Sequence, residues 1–512
     1  MHSCLMTEDI LVTILQWVHD DSNDGKRTLA ILARTCKTFK EIALDILWRE
    51  IPNLAPLVRT LPVDTWEIKF AGGPPIAILR RKTTAADWTR CCAYTPRIKR
   101  LGYEVPKTCG FGFRELVRSM IIGPDIFEAI KSTSLLQFPN LRHLYWDQAQ
   151  LPQLPVTPFL GPSIRTLQLN VDSYGSSSVL CKNLPQLCPS LRRLNLNVTA
   201  ESQVVDSHSP CCTLIQGICE SLEALFCNNI SLPVDVLQEL ATSTKLKRLH
   251  VGNDMNDILR HFPFSELPFF PALSHLYSTS KYLASVTRFI ERVGSRSFES
   301  VEITTMIPPP ESDLQYFFKT LKRHCNHDDF KSLSVHHLSR SFYSIPAASS
   351  GYDFISATVK PLLVFRNLEK LSLKSTYRFM LDNTDLGFMA VAWRNIQELV
   401  IGDFHSNWGS ELHITLDGLL PLTRYCPDLE ILGISLQGVT TSANLDEARK
   451  KITGSTCRKV KTLTLGSSTI EDPISVAEYL AAIFPNLTWI MAVGENKSSW
   501  EEVSNFLKYM RL

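Results

Sequence analysis

At 512 residues the chain exceeds the ~250–300 residues that one hydrophobic core usually serves, so several domains or a repeat array are expected. Its 44% hydrophobic and 20% charged residues are those of a chain that folds in water. Fifty-three basic against 51 acidic side chains exclude a general attraction to phosphate backbones or anionic membranes, so neither nucleic acid nor membrane is an expected partner. No apolar run reaches the ~20 residues of a spanning helix, and the opening MHSCLMTEDI meets acids where a secretory signal needs a basic and then an apolar stretch. A cytoplasmic or nuclear location is expected. The 14 cysteines are scattered without a C-x-x-C pair and read as reduced, mostly buried thiols.

Residues 1–50 read as three short helices. Ile10, Leu11, Ile14, Leu15 and Val18 recur at helical spacing behind Thr7, Glu8 and Asp9, which suit a helix start. The polar run Asp20 to Lys26 ends that helix, a second opens at Thr28, and a third carries Phe39, Ile42, Ala43, Ile46 and Leu47. So small a unit buries little surface alone and implies a partner. Residues 51–134 form a Pro- and Gly-containing transition region, with short helices expected around Ala85 to Tyr94 and, after Pro124, around Ile126 to Ile130.

From 135 to 512 one pattern recurs, apolar-x-x-apolar-x-apolar. Its copies begin at Leu141, Ile164, Leu191, Leu222, Leu246, Leu273, Phe298, Phe330, Leu368, Ile396, Leu429, Val460 and Leu487, a mean spacing of about 29 residues. Amphipathic helices lie between copies, as at Leu314 to Leu321 and, after Pro473, at Val476 to Phe484. Strands this far apart in sequence cannot form hairpins. The expected fold is therefore α/β, a curved solenoid of parallel strands and helices behind a three-helix head.

The head resembles the F-box. That family's Leu-Pro start, apolar helix, Cys-Lys-x-aromatic element and Leu-Trp-Arg ending are matched by Leu5-Met6, by Ile10, Leu11, Ile14 and Leu15, by Cys36-Lys37-Thr38-Phe39, and by Leu47-Trp48-Arg49, with Met6 where the family usually has Pro. The array is similar to the divergent leucine-rich repeats found behind F-boxes in fungal-type members. The resemblance implies the substrate-recognition subunit of an SCF-type ubiquitin ligase. Leu5, Met6, Ile10, Leu11, Ile14, Leu15, Leu32, Cys36, Phe39, Leu47 and Trp48 would then meet a Skp-type adaptor and through it a cullin, while the repeats hold a target protein near the charged conjugating enzyme. Proximity would accelerate transfer, with no active site in this chain. The competing class is a repeat scaffold acting outside ubiquitin ligation.

Motifs for catalysis or cofactors are absent: there is no phosphate-binding Gly loop, no G-x-S-x-G and no H-E-x-x-H, and no cofactor is expected. His324, Cys325 and His327 crowd one helix end without a second ligand pair, and His208 with Cys211 and Cys212 is weaker still, so no metal site is assigned. Arg80-Arg81-Lys82, with Arg90, Arg97, Lys99 and Arg100, reads as the solvated face of an amphipathic segment. In each repeat the residues before and between the last two apolar ones should point to the concave face of the solenoid. That rule marks His143, Tyr145, Arg193, Phe226, Arg248, His250, Tyr277, Lys370, Lys374 and Trp489 as target-binding candidates, with Asn195 and His275 beside them. The cations among them, Arg193, Arg248, His250, Lys370 and Lys374, favour an acidic or phosphorylated segment unless Asp147, Glu302 and Glu398 cancel their field.

Overall fold

A computed structural model describes residues 7–20, 24–70, 75–102, 120–133, 136–147, 156–171, 183–198, 214–228, 230, 232–252, 255–261, 269–294, 296–337, 353–374, 378–402, 412–439 and 456–510. The chain divides into two compact units, Met1–Ser231 and Leu232–Leu512.

The first unit opens with helices α1 (Glu8–Asp20), α2 (Gly25–Leu32) and α3 (Lys37–Arg49). They close on a small core of Leu11, Leu15, Leu29, Ala43 and Ile46. Helix α2 starts three residues before Thr28, with Gly25 buried and Lys26 and Arg27 exposed. A Cβ on Gly25 would stand 2.3 Å from the carbonyl oxygen of Val18, so the close approach of α2 to α1 requires glycine there.

Helix α3 runs directly into the strand Glu50–Ile51, which pairs in parallel with Arg100–Leu101. The strands His143–Asp147, Thr166–Val171, Arg193–Val198 and Ala224–Asn228 follow, each parallel to the one before. Strand pairing thus begins inside the region read as a transition, ahead of Leu141. That region also holds a separate sheet of Trp66–Lys69, Ile76–Leu79 and Ile121–Ile122, and the helices Thr89–Tyr94 and Pro124–Thr133.

Among the described residues the main sheet of the second unit carries nine parallel strands in chain order: Arg248–Val251, His275–Ser280, Ser300–Thr305, Ser332–His337, Lys370–Lys374, Glu398–Ile401, Ile431–Ile434, Thr462–Gly466 and Trp489–Ala492. Amphipathic helices such as Leu283–Arg292, Glu311–His324 and Pro473–Ile483 return the chain between strands. All-parallel strands in sequential order are the connectivity of a leucine-rich-repeat-like solenoid.

Across the two units every one of the thirteen motif starts is a buried apolar residue, and the strand begins two residues later. The next apolar position forms a continuous ladder within each unit: Ile51, Leu101, Leu144, Leu167, Leu194 and Leu225 in the first, and Leu249, Leu276, Val301, Leu333, Leu371, Leu399, Leu432 and Leu463 in the second. Burying such a ladder at ~1.5–3 kcal/mol per side chain is what allows the segments between copies to vary in length. No described helix is long and apolar enough to cross a membrane.

Candidate functional site

The helical head sorts its apolar residues into two stripes. Leu11 and Leu15 turn into the core with Leu29, and Val18, Leu32, Phe39 and Leu47 pack half-buried against it. Leu11 and Leu15 are therefore core residues, closed to a partner while the helices stay folded. Cys36 is half-buried just ahead of α3. Trp48 is also engaged within the chain: its ring stacks on Tyr94 at 4.2 Å between centroids and 12° between planes. Leu5 and Met6 lie outside the described residues.

The other stripe faces out. Ile10 is 42% exposed, Ile14 40%, Trp17 73% and, on α2, Ile31 50%. Thr13, Ile14, Trp17 and Val18 line a shallow groove of about 370 Å³. Neither Trp17 nor Ile31 was marked from the sequence. Trp17 was visible there, since Ile10, Ile14 and Trp17 repeat at i, i+4, i+7 beside the parallel stripe Leu11, Leu15, Val18.

The strand-face candidates fall on outward positions within their own units. In the first, His143 and Arg193 share one register row, and Tyr145 and Phe226 share the next with Gln168 and Asn195. In the second, Arg248, His275, Lys370, Glu398 and Trp489 lie in one row, His250, Tyr277 and Glu302 in another, and Lys374 follows His336 in a third. The His250 and Tyr277 rings stand 6.0 Å apart, and Trp489, Met491 and Ile431 are exposed.

The five cations expected to make one positive face do not act alike. Arg193 belongs to the first unit and the other four to the second. Lys370 is held by Glu398 at 3.0 Å, as the acidic alternative anticipated. Lys374 is exposed. His336 accepts or donates at 3.0 Å to the Ser372 hydroxyl, and burial, then Lys374 and Lys370, lowers its pKa to about 4. Burial, followed by nearby arginines, likewise lowers His143 and His275.

Three other basic residues are consumed locally. Arg81 forks onto Asp87 at 2.9 and 3.0 Å and reaches Asp64 at 2.9 Å, Arg80 meets Glu67 at 3.1 Å, and Arg97 binds Glu41 and Asp45 of α3. They tie the segment after α3 in place. The His324 to Asp329 stretch is also spent on structure: burial pushes the Cys325 thiol up to about 12, His327 contacts the Lys322 carbonyl at 2.8 Å, and Asn326 donates to Asp329 at 2.7 Å. Among the described residues no three metal-ligating side chains converge. His208, Cys211 and Cys212 lie outside those residues.

No family model matches the sequence, and no curated protein matches it. Among solved structures, a chain from the crystal structure of the Rad7 and Elc1 complex in yeast aligns over 75% of this chain and 87% of its own, at 16% identity and a TM-score of 0.43. So slight a likeness bears on neither partner nor activity.

Proposed function

We propose that this chain is the substrate receptor of an SCF-type ubiquitin ligase. Its head would dock a Skp-type adaptor and through it a cullin, and its strand faces would hold the target protein. The observation that carries the reading is the second stripe of the head. A three-helix unit whose own core is complete nevertheless presents Ile10, Ile14, Trp17 and Ile31 to water. Exposed large aromatic and aliphatic side chains are the anchors of protein interfaces, and these lie within the segment that resembles the F-box, Ile14 and Trp17 lining one groove. The chain itself would do no chemistry; ubiquitin transfer would belong to other subunits and gain rate from proximity.

Capture of a purified Skp-type adaptor by the full chain tests the reading. Replacing Ile14 and Trp17 together by Asp is expected to weaken capture by more than about tenfold, given ~2 kcal/mol for an anchor residue, while the melting temperature stays within about 2 °C. Leu11→Asp should instead unfold the head, because it buries a charge in the core. Undiminished capture by the Ile14→Asp, Trp17→Asp variant would refute the docking face.

A further inference from the structure

The first unit carries a row of cations that none of the repeat motifs announces. Four of its successive strands open on one or two basic residues, and backbone hydrogen bonds set these in line. Arg142 and His143 donate to the Lys99 carbonyl at 2.9 and 3.0 Å, Arg165 and Thr166 to that of Arg142 at 2.9 and 3.0 Å, and Arg192 and Arg193 to that of Arg165, both at 2.9 Å. Successive strands therefore begin with Lys99-Arg100, Arg142-His143, Arg165-Thr166 and Arg192-Arg193. At ~4.8 Å between strands, six cations occupy a rim about 14 Å long.

Lys99, Arg142, Arg165, Arg192 and Arg193 are exposed. Carboxylates touch the rim only at its ends among the described residues: Glu50 reaches Arg100 at 3.5 Å, and Glu223 reaches Arg192 at 2.9 Å. Among the described residues Lys99, Arg142, Arg165 and Arg193 have no ion-pair partner. The field they create registers on His143 in their midst, whose pKa is lowered by burial and then by Arg100, Arg193 and Arg142. A chain of net charge +2 thus concentrates positive potential at one edge of one sheet.

We infer that this rim seats a short acidic polypeptide segment of the captured target, an inference that rests on the proposed receptor role. Carboxylate side chains suit exposed guanidinium forks, which bind them bidentately. Length argues for a peptide over a nucleic acid. A 14 Å row matches about four residues of extended chain, and its ends are closed by Glu50 and Glu223, which would repel a phosphate backbone continuing past them.

Fluorescence anisotropy on the full chain tests the inference with three labelled probes: a hexa-aspartate peptide, a hexa-asparagine peptide and a 12-nucleotide single-stranded DNA. Hexa-aspartate is expected to bind and hexa-asparagine not to bind. Affinity should fall about tenfold between 50 and 300 mM NaCl as screening sets in. Replacing Arg142, Arg165 and Arg193 together by Glu should weaken hexa-aspartate binding at least about thirtyfold, and by Gln to a lesser degree, with melting unchanged. Absence of hexa-aspartate binding, binding that survives both triple variants, or tighter binding of the DNA through the same arginines would each overturn it. Adaptor capture by the Glu variant should be retained. A failure of the rim is thereby told apart from a failure of the docking face on α1 and α2, which only the Ile14 and Trp17 substitutions report.

Discussion

The two units are alike inside and opposed at the rim. Both are built on a Leu-dominated ladder, and in both each copy of the repeat motif begins its strand two residues after a buried apolar anchor. At the position just before the strand, the first unit has Arg49, Lys99, Arg142, Arg165, Arg192 and then Glu223, whereas the second has Lys247, Ser274, Glu299, Lys331, Glu369, Gln397, Glu430, Lys461 and Thr488, joined by the same backbone hydrogen bonds. The second rim mixes signs and neutralises itself: Lys331 lies 3.9 Å from Glu369, and one residue further on Lys370 lies 3.0 Å from Glu398. Packing dictates the ladder and leaves the rim to electrostatics, so one repeat plan yields a charged edge in one unit and a compensated edge in the other.

The likeness of the interiors is tested by the largest effect. Leu194→Ala in the first unit and Leu333→Ala in the second each remove a fully buried ladder side chain. Each should cost ~2–5 kcal/mol in urea denaturation of the full chain. A cost below about 1 kcal/mol at either site would show that the two ladders are not equivalent cores.

A smaller effect separates the outward faces by pH. His336 titrates near 4 in the folded chain, below its unfolded value, so the unfolded state binds the proton more readily. Stability from this group is complete above about pH 6.5 and is lost as pH falls toward 4, by up to ~2 kcal/mol after allowance for partial exposure. His336→Gln should flatten that part of the stability profile. A slope unchanged by the substitution would place the acid sensitivity elsewhere, for example at His143 of the first unit, which shifts in the same direction.

The smallest effect sharpens the contrast of the rims. Lys370→Glu puts a third carboxylate beside Glu398 and Glu369, and should destabilise by ~1 kcal/mol. Arg193→Glu removes one of several crowded like charges and should cost less than ~0.5 kcal/mol or stabilise slightly. Equal losses in thermal melts at low salt would mean that the first rim is compensated after all.

Much of the fold was legible in the primary structure. The spacing apolar-x-x-apolar-x-apolar located thirteen strands, because alternation within a strand and burial of its anchor are local demands that each repeat satisfies in the same way. The same rule, shortened to Trp48-x-x-Ile51 and Ile98-x-x-Leu101, describes the two strands that went unread; at two residues each they lack the third apolar position that made the other copies visible. Outward positions such as His143, Arg248 and Lys370 followed from alternation as well. Their charge balance did not, because Glu398 lies 28 residues beyond Lys370 in sequence and meets it only across paired strands.

The head divides along the same line. Periodicity established an amphipathic first helix, but a single stripe could not say that Leu11 and Leu15 would be sealed by Leu29, Ala43 and Ile46 while Ile14 and Trp17 stayed outside. That choice depends on where α2 crosses α1, which the bare backbone of Gly25 against Val18 permits. The basic rim is the clearest case. The chain alone determined that Arg142, Arg165 and Arg192 precede strands; only the tertiary structure added Lys99 and made the four neighbours, because parallel pairing brings residues from separate repeats into one register whatever the length of chain that loops between them.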